Sequence, residues 1–313
     1  MLSRRDFLTG AAGIAGAAAL ARPGFAAAGT APMPRTPITF AVPAGACDTH
    51  VHVFGDHQKF PFAASRPYSP DEATVADLRA LQRALHLDRV IITQPTVYGT
   101  DHACTLDAIQ QFGLDHARGT AEIDEHTTDA DLDALHRGGI RGVVLHNLDN
   151  IPVVAKRLRN RDWHLEFYVR VSEIDKIKAN VLASPVPVVF TMFGGSQAAP
   201  GIHQPGFDSL LGLLQTGKVY VELSAPYRVS KIEPDYPDVA PIAKALIAAN
   251  PDRIMWGSDW PHAAAIPGKQ MTGPTPLAQI DDGLSLTLLH SWTSNADELK
   301  RILVDNPARL YGF

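Results

Sequence analysis

Short runs of β-branched and other apolar residues recur along the chain, separated by stretches in which apolar positions return every three or four residues. The runs are Ala46–Val53, Arg89–Gln94, Ala117–Ile123, Ile140–Asn147, His164–Arg170, Val186–Met192, Val219–Ser224 and Arg253–Asp259. Each is apolar almost throughout rather than alternating, the pattern of parallel strands covered on both faces. Helical spacing runs over Val75–His86, Thr105–Phe112, Asp129–Arg137, Val153–Arg161, Glu173–Leu182, Phe207–Leu214 and Val239–Ala249. A last pair, Gly283–Trp292 and Asn295–Val304, precedes Asn306-Pro307-Ala308-Arg309-Leu310-Tyr311. Eight strands, each followed by a helix, predict a single (β/α)8 TIM barrel of the α/β class. A doubly wound open sheet is the alternative, but it would normally carry a glycine-rich phosphate turn after its first strand, where this chain has two histidines.

Composition narrows the picture. Ser3-Arg4-Arg5-Asp6-Phe7-Leu8, an Ala/Gly-rich run to Leu20 and Ala26-Ala27-Ala28 read as a twin-arginine signal peptide over residues 1–28. The run is too short and too poor in large side chains for a stable membrane anchor. The expectation is a protein exported by the twin-arginine machinery to the periplasm, with residues 29–43 as an N-terminal extension and 44–313 as the barrel domain. About 285 residues follow the signal in a chain that is 45% hydrophobic, enough for one large core. Without Arg4, Arg5, Asp6 and Arg22 the formal charge goes from −5 to −7, and the remaining Lys and Arg form no stripe, which argues against a nucleic-acid partner. Two cysteines, Cys47 and Cys104, do not make a disulfide scaffold, and buried free thiols are the expectation.

Two segments carry the candidate chemistry: Cys47-Asp48-Thr49-His50-Val51-His52 and Ile254-Met255-Trp256-Gly257-Ser258-Asp259-Trp260-Pro261-His262. Alternate strand residues share a face, so His50 and His52 can converge while Val51 turns away. A closed barrel makes its first and eighth strands neighbours and collects active-site groups at the C-terminal strand ends. His50, His52 and Asp259 are therefore expected to meet. Two imidazoles and a carboxylate can hold a metal, polarise a carbonyl or move a proton. No Gly-x-Ser-x-Gly elbow supports a serine nucleophile.

Asp48-Thr49-His50-Val51-His52 at the first strand and Ser258-Asp259 at the eighth resemble the amidohydrolase superfamily. From about Ala44 to Phe313 the chain is similar to its branch containing 2-pyrone-4,6-dicarboxylate lactonase and D-galactarolactone isomerase. The matching segments are Asp48–Phe54, Phe60-Pro61-Phe62, Tyr98-Gly99-Thr100-Asp101, Gly139-Ile140-Arg141-Gly142, Trp256–His262 and Val304–Phe313. The resemblance implies that Asp259 activates water while His50 and His52 polarise a lactone carbonyl, and that Tyr68, Tyr168 and Arg228 grip an acidic group of the substrate. It also exposes departures. Two arginines of that grip are absent, with Val144 and Gly195 at their places, and Glu222 stands where lysine is frequent. Met192 stands where the branch has a catalytic histidine, and a thioether can neither donate a proton nor usefully accept one. His146 and His262 are candidates to compensate by contacting substrate; His262 is alternatively a group that orients Asp259.

Metal-dependent members of the superfamily add histidines after the fifth and sixth strands, and this chain has Tyr168 and Thr191-Met192-Phe193 there. Metal-free chemistry is therefore the expectation, with a single zinc on His50, His52 and Asp259 as the alternative. The leading reading is a hydrolase of small carboxylated lactones. A lactone isomerase, a zinc-dependent decarboxylase and a non-catalytic periplasmic binding protein are the alternatives.

Overall fold

A computed structural model describes residues 31–263, 271 and 273–313. The twin-arginine pattern and its cleavage point lie outside the described residues. Eight parallel strands, β1 Cys47–Val51, β2 Arg89–Ile92, β3 Ala117–Ala121, β4 Ile140–Val144, β5 His164–Phe167, β6 Val188–Phe190, β7 Val219–Ser224 and β8 Ile254–Gly257, pair in sequence order. Each lies within an apolar run of the sequence. The helices between them are α1 Val75–Leu85, α2 Ala103–Phe112, α3 Asp129–Arg137, α4 Ile151–Leu158, α5 Ile174–Ala183, α6 Phe207–Gln215, a four-residue α7 Pro226–Val229 and α8 Ala240–Ala249, with α9 Asp282–Trp292 after β8. Local chemistry fixes the starts of α1 and α3: Thr74 with Asp77, and Thr128 with Asp131, each form a reciprocal capping box that satisfies backbone N–H groups the helix leaves unpaired. The chain stays helical through Asn306-Pro307 to Tyr311, because proline is tolerated in a first turn.

The barrel closes between β1 and β8 just above the strand ends. The N–H of His52 donates to the Trp260 carbonyl (2.8 Å) and that of Asp259 to the His50 carbonyl (3.0 Å). Asp48 reinforces the seam, its Oδ1 accepting from the N–H groups of His50 (3.1 Å) and Ser258 (2.9 Å). Gly257 is needed there: a Cβ at that position would stand 2.6 Å from the Cβ of His50, so only glycine lets the two strands approach this closely. Residues of the N-terminal extension pack on the outside of this seam, with the Trp260 indole donating to the Pro32 carbonyl (2.9 Å) and Asp281 accepting from Thr36. Cys47 and Cys104 are both buried and free. Among the described residues no helix is long and apolar enough to cross a membrane.

Candidate active site

The strand ends of β1 and β8 bring three groups together. His50 Nε2 lies 3.8 Å and His52 Nε2 3.7 Å from Asp259 Oδ1, with the two imidazoles edge to face at 5.1 Å. Asp259 adopts a left-handed backbone, φ 66°. That conformation is sparsely populated outside glycine, though aspartate tolerates it better than most residues, and it recurs at functional sites.

The other nitrogen of each ring is already committed. His52 Nδ1 is 2.9 Å from the Thr93 carbonyl, which fixes the proton on Nδ1 and leaves Nε2 facing Asp259. His50 Nδ1 is 3.0 Å from Glu222 Oε1 and 3.7 Å from Glu166 Oε1, both carboxylates fully enclosed in the barrel. Glu222 also accepts from the Thr49 hydroxyl at 3.0 Å. Strict alternation would turn Thr49 and His50 to opposite faces; an irregularity in the β1–β2 register between Asp48 and Val51 accompanies their reaching the same carboxylate. Burial opposes a charge on His50, but Glu222, Glu166 and Asp259 outweigh it and push the ring up to about 10.

The second oxygen of Asp259 is held from the other side. Oδ2 accepts from the Tyr227 hydroxyl and from Arg228 Nε (3.2 Å), while Arg228 also donates to the Ala263 carbonyl (3.1 Å). Burial alone would raise the Asp259 carboxyl, yet Arg228, His52 and His50 hold it well below the usual carboxylate range. The barrel mouth therefore keeps Asp259 ionised. The guanidinium of Arg228, expected at a substrate anion, reaches Asp259 through Nε. The reason is local. Ala225 is left-handed and Pro226 opens α7, and this short turn aims Tyr227 and Arg228 together at the carboxylate.

The remaining predicted residues fall in different places. Tyr68 is half-buried close to Asp259 and Arg228, and burial, then Asp259 and Glu122, raise its hydroxyl. Tyr168 is 41% exposed on the opposite rim, lining a cavity of about 420 Å³ with Arg170, Gln197 and Gln204. His146 is exposed at the mouth, Nε2 2.8 Å from Glu122 Oε1. His262 does not face the mouth: it is 1% exposed, 3.1 Å from Asp282 Oδ2, with its ring edge on Tyr227. It therefore supports the tyrosine that holds Asp259 rather than contacting substrate. Glu122, Glu166, Tyr227 and Asp282 join the residues expected from the sequence. The signal for the first two was an acidic residue inside or ending an apolar strand run, where a charge is costly unless paired; Tyr227 and Asp282 carry none.

The make-up of the site suits a divalent ion. His50, His52 and Asp259 offer ligand atoms all within 4.8 Å of one another. Their second nitrogens rest on a carboxylate and a backbone carbonyl, as the outer contacts of metal-bound histidines do. Three such donors leave a coordination position open, as catalytic rather than structural sites do.

The family model described as Amidohydrolase matches residues 47–313. The chain is 33% identical to a 4-sulfomuconolactone hydrolase of Rhizobium radiobacter, over 88% of this chain and 93% of that protein. It is 32% identical to a 2-pyrone-4,6-dicarboxylate hydrolase of Comamonas testosteroni, over 87% and 92%. Among solved structures, an apo crystal structure of an Agrobacterium tumefaciens protein superposes with a TM-score of 0.75 at 25% identity, covering 90% of this chain and 98% of that one. With a barrel that collects two histidines of β1 and the aspartate after β8, and a family match over nearly all of the described barrel, the chain belongs to the amidohydrolase family.

Proposed function

We propose that this protein is a hydrolase that opens small lactones bearing an acidic group. The observation that carries the reading is the convergence of His50 Nε2 and His52 Nε2 on the one oxygen of Asp259 that Tyr227 and Arg228 leave open; the lactone-hydrolase names of the relatives supply the bond class. Asp259, ionised throughout the working range, orients a water through Oδ1. As the water oxygen bonds to the carbonyl carbon its protons become acidic, and Oδ1 accepts one. His50 and His52 meet the carbonyl oxygen and stabilise the charge that develops on it. Glu222 and Thr93 fix the orientation of the two rings. A divalent ion held by His50, His52 and Asp259 would supply Lewis acidity at the same carbonyl. Tyr68, beside Asp259, and Tyr168, on the opposite rim, are the hydroxyls that position the acidic group.

The test is a panel of carboxylated lactones followed by acid release, with Asp259→Asn alongside the wild type. Loss of turnover in a variant that keeps the wild-type unfolding curve is expected, and full activity in it would refute the role. In ¹⁸O-water the product should carry solvent oxygen; an isomeric lactone without label would replace hydrolysis by isomerisation. The Arg4-Arg5 pattern supports twin-arginine export to the periplasm. Replacing both arginines by lysine should leave the protein in the cytoplasmic fraction, and unchanged export would remove that part of the reading.

A further inference from the structure

A charged pair stands across the barrel mouth from Asp259. Glu122 immediately follows β3 and His146 comes two residues after β4. In an eight-strand ring numbered in order, β4 lies opposite β8, so the pair and Asp259 flank the mouth from facing sides. Glu122 is largely enclosed, its side chain 13% exposed, and His146 is open at 57%. Glu122 Oε1 sits 2.8 Å from His146 Nε2, and the Glu122 carbonyl is 2.8 Å from His102 Nε2, which ties this strand end down. With Nε2 committed to the carboxylate, the proton that His146 gains or loses is the one on Nδ1, which has no partner among the described residues. Tyr68 lies between the two sides, its hydroxyl under the influence of both Asp259 and Glu122. The hydrogen bond that Glu122 accepts also raises the affinity of His146 for its proton, against the cost of burial.

We infer that Glu122 and His146 form a proton-delivering pair that protonates the oxygen leaving the opened lactone. The assignment rests on the lactone-opening reading and completes its proton balance. Water adds to the carbonyl carbon and gives one proton to Asp259. The bond from that carbon to the ring oxygen then breaks, its electron pair goes to the ring oxygen, and the Nδ1 proton of His146 passes to it. Asp259 returns its proton to solvent and His146 recovers one, so the net change is the addition of one water. His146 is the general acid, and Glu122 is a positioning residue that holds its Nε2 and strengthens its hold on its proton.

The experiment compares two carboxylated lactones, one releasing an alkoxide and one releasing an enol, with the full mature chain as wild type, His146→Gln and Glu122→Gln. An alkoxide needs its proton as it leaves, whereas an enolate does not. His146→Gln should therefore lower kcat for the alkoxide-releasing lactone by roughly 100-fold, with KM little changed, and by less than about threefold for the enol lactone. Glu122→Gln should show the same order of losses to a smaller extent, and the NMR titration of His146 should move to lower pH. Equal losses on both lactones, or none on either, overturn the assignment, as does an unmoved His146 titration in Glu122→Gln. A wild type that opens neither lactone overturns the lactone reading itself. One that opens both, fails in Asp259→Asn and is indifferent to His146→Gln overturns this assignment alone.

Discussion

Replacing Asp48 by asparagine should change how the stability of the protein depends on pH. Asp48 is fully buried at the β1–β8 seam, with Oδ1 taking two backbone N–H groups and Oδ2 taking none. Burial pushes its carboxyl up to about 7, in spite of the hydrogen bonds from Ser258 and His50, against about 3.9 for an aspartate in an unfolded chain. Between those values the folded state holds a proton that the unfolded state has released. Wild-type stability therefore falls as the pH rises through that window, by about 1.4 kcal/mol per pH unit and about 4 kcal/mol in all. Asparagine keeps the shape and the acceptor for both N–H groups but cannot ionise, so this slope disappears. Its amide nitrogen takes the place of the Oδ2 hydroxyl that the protonated carboxyl carries below about pH 7, a buried donor without a partner in both proteins. The variant should thus gain on the wild type by about 3 kcal/mol as the pH rises from 5 to 8, groups common to both cancelling in the difference. Urea unfolding followed by tryptophan fluorescence at several pH values measures that difference. Parallel stability curves for the two proteins across the window would refute a seam carboxyl that titrates near neutrality.

Three further outcomes follow from the same geometry. Tyr227→Phe removes a charge-assisted hydrogen bond from Asp259 Oδ2 and should lower kcat by about tenfold or more with little change in KM; an unchanged kcat would show that Arg228 alone sets the carboxylate. Gly257→Ala places a methyl against the Cβ and backbone of His50 and should destabilise the fold by about 1–3 kcal/mol while depressing activity, because the seam must open to admit it; thermal unfolding and the lactone assay report the two effects together, and a variant as stable and active as the wild type would mean that the seam yields freely. Cys47 and Cys104 are buried thiols that burial pushes up, so a disulfide-exchange reagent should find no reactive thiol in the native protein and two after unfolding. A single bridge instead would leave none in either state.

Stability and chemistry meet at the seam. The ionised Asp259 is tolerated inside the mouth because Arg228, Tyr227 and the histidines surround it; removing one partner of such a buried pair leaves an uncompensated charge, which typically costs about 3–5 kcal/mol. The groups that keep Asp259 charged thus hold the two ends of the barrel domain together as well. Glu166 and Glu222 do the same for His50 from below.

The sequence by itself determined the barrel. Eight largely apolar runs alternating with helical periods leave few arrangements, and closure of such a ring must bring His50, His52 and Asp259 to one edge. Periodicity and connectivity are properties of consecutive residues, so they can be read from the chain. What the tertiary structure decided is which atoms face which. The irregular register of β1 brings both Thr49 and His50 to Glu222, and the left-handed turn at Ala225 brings Arg228 to Asp259. Packing behind Tyr227 draws His262 to Asp282, and the meeting of the β3 and β4 ends pairs Glu122 with His146. Each of these depends on the relative height and twist of two strands or loops far apart in sequence, a quantity that no local pattern of hydrophobic and polar residues encodes.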